Sequence, residues 1–253
     1  CPAGTGCPVG SAEARKCAPG TVAPNASMAA CVKCAAGKYQ AEAGQLSCDG
    51  CEAGTYCEAG ANAQTRCKAG YYSNKVEAGD AADCKLCSPG HACPSGSIAM
   101  TRCHPGSVAN ESGQAACRKC AAGTFQSSRG QQECKVCALG GYCTKGASSP
   151  VPCEAGRFGN RTGLKTLHEC SYCEPGSSCA LGAAAMTPCT PGSIAPVARY
   201  AAVLARALPA SSLARCEPCE PGQFQDVEGQ VVCKPCSRGG YCVAGAASPS
   251  PSP

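Results

Sequence analysis

The chain has no tryptophan, three phenylalanines, eight tyrosines and two isoleucines in 253 residues. That scarcity excludes a conventional oily interior. A chain of this length ordinarily buries one substantial core, but alanine and cysteine supply most of its 44% hydrophobic content. No apolar stretch approaches the roughly 18 residues that mark a transmembrane helix, so no membrane span is expected. No secretory leader is recognisable, and the chain opens on Cys1 inside a repeating pattern, as expected for a mature product or a fragment. Strong charge is missing as well. The net charge is +5, with Lys and Arg scattered and without the basic run that nucleic acid requires. There is no phosphate loop, EF-hand loop or dinucleotide fingerprint. His91, His104 and His168 stand singly in different segments, none with a nucleophile and a carboxylate in a recognisable motif. They read as lone surface histidines, so neither an enzyme nor a cofactor is expected.

What the chain does have is cysteine. Its 28 cysteines exceed the roughly 8–10% that marks a disulfide scaffold, and such density persists in an oxidising compartment: the secretory pathway, the cell surface or outside. The cysteines repeat. Adding 86 to Cys1, Cys7, Cys17, Cys31, Cys34, Cys48, Cys51, Cys57, Cys67 and Cys84 lands on Cys87, Cys93, Cys103, Cys117, Cys120, Cys134, Cys137, Cys143, Cys153 and Cys170. A third copy opens at Cys173, Cys179 and Cys189. It carries 13 extra residues before resuming at Cys216, Cys219, Cys233, Cys236 and Cys242, and its next expected cysteine is Ser252. The expected organisation is three super-repeats, 1–86, 87–172 and 173–247, followed by a Ser-Pro tail at 248–253.

Eight Cys-x-x-Cys pairs divide the repeats into two-cysteine segments, with 13 residues between the cysteines, and four-cysteine segments. Every complete segment holds an even number of cysteines, so each can close its own bridges. With the first cysteine of each Cys-x-x-Cys pair set aside, all 20 others have glycine three residues later, which implies a tight turn or close backbone approach. Two residues further on, eight of the 11 aromatics recur: Tyr39, Tyr56, Tyr72, Phe125, Tyr142, Phe158, Phe224 and Tyr241. Each is expected to cover the disulfide of its own loop. The fold class that follows is small and disulfide-rich: an elongated array of about nine modules with short hairpins, turns and coil, each touching only its neighbours. Helix is expected only near 198–208, where Val197, Tyr200, Ala201, Leu204 and Leu208 recur at helical spacing before Pro209.

Asn25, Asn110 and Asn160 are Asn-x-Ser/Thr acceptors. All lie in the last loop of a four-cysteine segment, seven or eight residues after its opening cysteine, and are expected to carry sugar on one side. The equivalent loop at 67–84 has Asn74 without the motif. The end of the chain, Ser248, Pro249, Ser250, Pro251, Ser252 and Pro253, reads as an extended polyproline tract. Its Ser and Pro, as hydroxyproline, are the expected O-glycan acceptors. Cys31, Cys34, Cys48 and Cys51 have nearly zinc-ribbon spacing, but the intervening single cysteines and the glycan acceptors oppose a metal site, and none is expected.

The segment CAAGKYQAEAGQLSCDGC (34–51) resembles the first loop of a tumour necrosis factor receptor cysteine-rich domain, and the same phrasing is found in ephrin-receptor-like cysteine-rich repeats. The resemblance covers essentially the whole chain and speaks to architecture, not ligand. Among such proteins the chain is most similar to green-algal mastigoneme and cell-surface filament glycoproteins, given its Ser-Pro end. That resemblance implies a secreted structural glycoprotein, a filament subunit or matrix-fibre segment that associates with itself or with sister filament proteins. The alternative is a receptor-like ectodomain gripping a protein ligand.

Two-cysteine segments leave one pairing each: Cys34–Cys48, Cys120–Cys134 and Cys219–Cys233. Four-cysteine segments allow three. Resemblance to the second module of the tumour necrosis factor receptor domain implies crossed bridges: Cys1–Cys17, Cys7–Cys31, Cys51–Cys67, Cys57–Cys84, Cys87–Cys103, Cys93–Cys117, Cys137–Cys153, Cys143–Cys170, Cys173–Cys189 and Cys179–Cys216. Pairing of neighbours stays open, because CKAGYYS (67–73) reads like the start of a two-cysteine segment. Neighbour pairing would also join Cys236 to Cys242, whereas crossed pairing leaves both without partners.

Overall fold

The structure is a computed structural model that describes residues 1–196 and 214–251. The helix expected at 198–208 lies outside the described residues. The chain divides into two compact units, Cys1–Arg118 with Ser128–Glu133, and Lys119–Ser127 with Cys134–Pro253.

One local rule generates the secondary structure. A cysteine opens each hairpin, glycine follows at the third position, and a two-residue strand occupies the fourth and fifth. That strand pairs antiparallel with a second two-residue strand downstream. Fourteen such hairpins are described, opened by Cys1, Cys17, Cys34, Cys51, Cys67, Cys87, Cys103, Cys120, Cys137, Cys153, Cys173, Cys189, Cys219 and Cys236; they are numbered 1 to 14 in that order. In hairpin 4, for example, Thr55 pairs with Arg66 and Tyr56 with Thr65. Gly54 turns the chain at φ 81°, a left-handed backbone that an L side chain resists. Its carbonyl accepts from Cys67 N at 2.9 Å, which ties the hairpin mouth to the start of the next. Two short 3-10 turns, Ala81–Asp83 and Leu167–Glu169, are the helical elements among the described residues.

All 28 cysteines form 14 bridges, one per hairpin. In eight hairpins the opening cysteine bonds the cysteine just before the second strand: Cys17–Cys31, Cys34–Cys48, Cys67–Cys84, Cys103–Cys117, Cys120–Cys134, Cys153–Cys170, Cys189–Cys216 and Cys219–Cys233. In six, it bonds the cysteine six residues on: Cys1–Cys7, Cys51–Cys57, Cys87–Cys93, Cys137–Cys143, Cys173–Cys179 and Cys236–Cys242.

The three pairings of the two-cysteine segments are present. The crossed set is overturned throughout: Cys1–Cys17, Cys7–Cys31, Cys51–Cys67, Cys57–Cys84, Cys87–Cys103, Cys93–Cys117, Cys137–Cys153, Cys143–Cys170, Cys173–Cys189 and Cys179–Cys216 do not form. The reason lies in the hairpin rule. Cys67 opens hairpin 5, and Cys84 sits directly before that hairpin's second strand, so the two face one another with Cα atoms 5.8 Å apart. The corresponding place in hairpin 4 is Gln64, so Cys51 closes instead on Cys57 across the glycine turn, at 6.3 Å. Both distances lie in the ordinary disulfide range. A four-cysteine segment is therefore two hairpins, and the chain has 14 repeating elements where about nine were expected.

The hairpins interlock beyond nearest neighbours. A Cβ placed on Gly4 would overlap the carbonyl of Gly44, two hairpins on, and the same holds for Gly37 against Glu77 and Gly70 against Gly113. An interleaved series links Gly20 to Gly60, Gly54 to Gly96 and Gly90 to Gly130. In the second unit Gly140 meets Gly182 and Gly192 meets Gly245 in the same way. Nearest neighbours are joined by backbone hydrogen bonds in both directions: Gly54 N to Ser73 O at 2.8 Å, and Gly96 N back to Cys67 O at 2.9 Å. Glycine at these places thus provides both the turn and the close approach.

Candidate functional surface and the placement of the predicted residues

The interior that holds this surface in place is made of sulfur and backbone. Buried positions are mostly half-cystines and alanines, with Val108, Phe158 and Leu164 among the few larger apolar side chains. Two of the recurring aromatics pack beyond their own hairpins. Phe158, from the hairpin closed by Cys153–Cys170, packs on Cys173, Cys179, Cys189 and Ala195 of the following hairpins. Its backbone bridges to Ala183. Tyr142 likewise packs against the next hairpin's Cys153, Leu164 and Cys170. Tyr39, Tyr72, Phe125 and Phe224 make the same backbone bridge to Ala61, Ser97, Ala147 and Ala246. At Phe158 and Tyr142 the aromatic is a joint between hairpins, which corrects the expectation of a private cover at those two positions.

Sequence reasoning missed a set of buried glutamines. Gln40, Gln126 and Gln225 follow the aromatic in the two-cysteine segments and are 7%, 2% and 1% exposed. Gln225 donates to Val232 O at 2.7 Å and accepts from Val227 N at 3.1 Å. Gln40 does the same with Ser47 O and Glu42 N. The amide spans the loop from inside and satisfies backbone groups that have no strand partner. The signal was available in the triplets KYQ, TFQ and QFQ at equivalent positions.

Asn25, Asn110 and Asn160 are all exposed. Asn110 Oδ1 accepts from Gln114 at 2.9 Å. Asn25 lies in hairpin 2 and Asn110 in hairpin 7. Five hairpins make one 86-residue repeat, and an odd number carries equivalent loops into alternate stacking series. At the end of the chain, Ser250 and Pro251 are the second strand of hairpin 14, paired with Tyr241 and Gly240. Ser248 and Pro249 lead into that strand, so the tract begins inside a hairpin and not as a separate tail at 248. Ser252 and Pro253 lie outside the described residues.

The Cys-x-x-Cys pairs are split between successive bridges. Cys31 bonds Cys17, while Cys34 bonds Cys48. No thiolate is left in them for a metal, and among the described residues no cluster of three His, Cys, Asp or Glu side chains is placed to hold one. His91 Nδ1 lies 3.1 Å from the Pro89 carbonyl, and His104 and His168 sit in separate hairpins. No described helix is long and apolar enough to cross a membrane.

A family model described as tyrosine-protein kinase ephrin type A/B receptor-like matches the chain three times, over residues 20–66, 106–153 and 208–250. A comparison with curated proteins finds none that matches.

Proposed function

From a chain that belongs to the ephrin type A/B receptor-like family of cysteine-rich repeats, we propose a non-enzymatic structural role: a glycosylated segment of an extracellular filament, mastigoneme-like, or of a matrix fibre. Fourteen disulfides and a repeat of this family fit an extracellular or cell-surface protein. The observation that carries the structural reading is the uniformity of the contact. The same approach of a turn glycine to the backbone of the second hairpin along recurs in ten of the described hairpins, while side chains vary. Identical joints repeated along a chain are what a load-bearing polymer uses.

Sugar on Asn25, Asn110 and Asn160, O-linked sugar on the Ser-Pro end, and association with itself or with sister filament proteins belong to this proposal. Immunogold imaging of the native material tests it. Label spaced along filaments or fibres supports it. Label confined to the plasma membrane as isolated molecules overturns it in favour of the receptor-like ectodomain. Glycopeptide mapping tests the sugars separately, with all three asparagines expected to be occupied.

A further inference from the structure

Hairpins 4 and 5 form a half-open pocket of about 210 Å³ lined by Tyr56, Lys68, Tyr71, Ala81 and Cys84. Sites for drug-sized ligands run to roughly 300–1,000 Å³, so this one has room for a single six-membered ring. The Ala81 carbonyl already accepts from Cys84 N at 3.2 Å and keeps one lone pair for a second donor. Among the described residues neither tyrosine hydroxyl donates a hydrogen bond and the Lys68 ammonium has no ion pair. Its wall is firm. Asp80 accepts from Ala82 N at 2.6 Å to cap the turn Ala81–Asp83. Asp83 accepts from Gly79 N and from Lys75 Nζ, each at 2.7 Å. Asp83 thus already has its cation, and Lys68 is the lining's own positive charge.

The same place one repeat later shows what this pocket's wall accepts. There Tyr142, Glu154, Arg157, Leu167 and Cys170 replace the five lining residues. The Arg157 guanidinium donates to the carbonyls of Leu167 at 3.4 Å and Cys170 at 3.2 Å. It also lies 3.9 Å from the centroid of Tyr172 and bonds its hydroxyl. In the first copy the counterparts of those carbonyls belong to Ala81 and Cys84, and Tyr71 stands in place of the arginine. The wall offers acceptors for two donors, an aromatic face on each side, and a free cation where the second copy has Glu154.

We propose that this pocket binds an acidic sugar residue, a pyranose bearing a carboxylate, as found in uronic-acid polysaccharides. The C–H faces of the ring stack on Tyr56 and Tyr71. Ring hydroxyls donate to the carbonyls of Cys84 and Ala81, and Lys68 pairs with the carboxylate. The pocket would fix acidic matrix polysaccharide to the protein at one defined hairpin pair. This assignment does not depend on whether the chain builds a filament or a receptor.

The test is calorimetric titration of the full chain with tri-galacturonic acid at low salt, with tyrosine fluorescence as a second readout. Saturable one-to-one binding is expected. The double variant K68E/Y71R installs the residues that the second repeat already carries, so the hairpin tolerates it, and it is expected to bind at least about tenfold more weakly. Neutral tri-galactose should also bind at least about tenfold more weakly to the unaltered chain. K145E makes the same charge change on an exposed residue elsewhere and should leave binding unchanged. No saturable binding, equal binding by K68E/Y71R, equal binding of the neutral sugar, or an equal loss in K145E would each overturn the assignment.

Discussion

Residues 67–86 and 153–172 are the same hairpin one repeat apart, and they solve the same closure with different side chains. Both are locked by a bridge of separation 17, Cys67–Cys84 and Cys153–Cys170. Ala78 fills the inside of the first loop and Leu164 that of the second, at 0% and 1% exposure. A positive-φ turn is made by Glu77 at 53° in one and by Gly163 at 75° in the other. The loop is braced by Lys75–Asp83 at 2.7 Å in the first and by Arg161–Glu169 at 3.8 Å in the second. Tyr71 leaves an opening that Arg157 fills. The lesson is that bridge and backbone set the shape, while each loop is free to vary what it packs and presents.

The largest test of that comparison removes what both loops share. A loop closed by about 15 residues contributes roughly 3 kcal/mol in the chain-entropy model, and these hairpins have no core to fall back on. Reduction is expected to unfold both loops together, read as loss of all slow amide exchange. Heating without reductant should leave them folded. A cooperative melt near about 50 °C in the oxidised chain, in the mesophile range, would contradict this.

Next comes Leu164, the large buried side chain that stands where the first loop has Ala78. Leu164→Ala should cost about 2–3 kcal/mol locally, measured as faster exchange at Cys143 N, which donates to Leu164 O at 2.8 Å. An Ala78→Gly change in the other loop should cost less. Smaller still is the turn exchange. Gly163→Glu is expected to destabilise by about 1 kcal/mol, because an L side chain is forced to positive φ. Glu77→Gly relieves that strain and gives up only an exposed pair with Lys38 at 3.7 Å. A chemical-denaturation midpoint that moves the same way in both variants would refute the reasoning.

The smallest effect is in pH. The hydrogen bond from Lys75, and after it the Gly79 amide, hold the Asp83 carboxyl below its ordinary value. The bracing of this exposed loop is therefore present above the unfolded-state pKa and lost as pH falls through the lowered folded-state value. Gly79 amide protection should drop in acid, and Asp83→Asn should abolish that response.

The period, the glycine turns and the short-loop bridges were legible because each is a matter of spacing along the chain. The four-cysteine pairings were not, because the resemblance suggested crossed bridges while the telling sign was local. Gln64, Met100, Pro150 and Met186 occupy the place before the second strand where a closing cysteine would otherwise stand. The second-neighbour stacking left its mark as glycine at Gly44, Gly60, Gly96 and Gly113, but which hairpin each one meets is a three-dimensional fact. The buried Gln40 and Gln225 escaped notice because composition counts glutamine as surface, whereas here its amide completes the loop backbone. For Phe158, sequence order points to its own loop, whereas packing puts it on the hairpins that follow.

Peptide mapping of the non-reduced chain, cleaved after Glu52, Glu58, Arg66 and Lys75, tests the central claim most directly. The expected result is fragments joined only by Cys51–Cys57 on one side and Cys67–Cys84 on the other. A fragment joining Cys51 to Cys67, or any free thiol in native material, would contradict a fold in which each hairpin is closed by its own bridge.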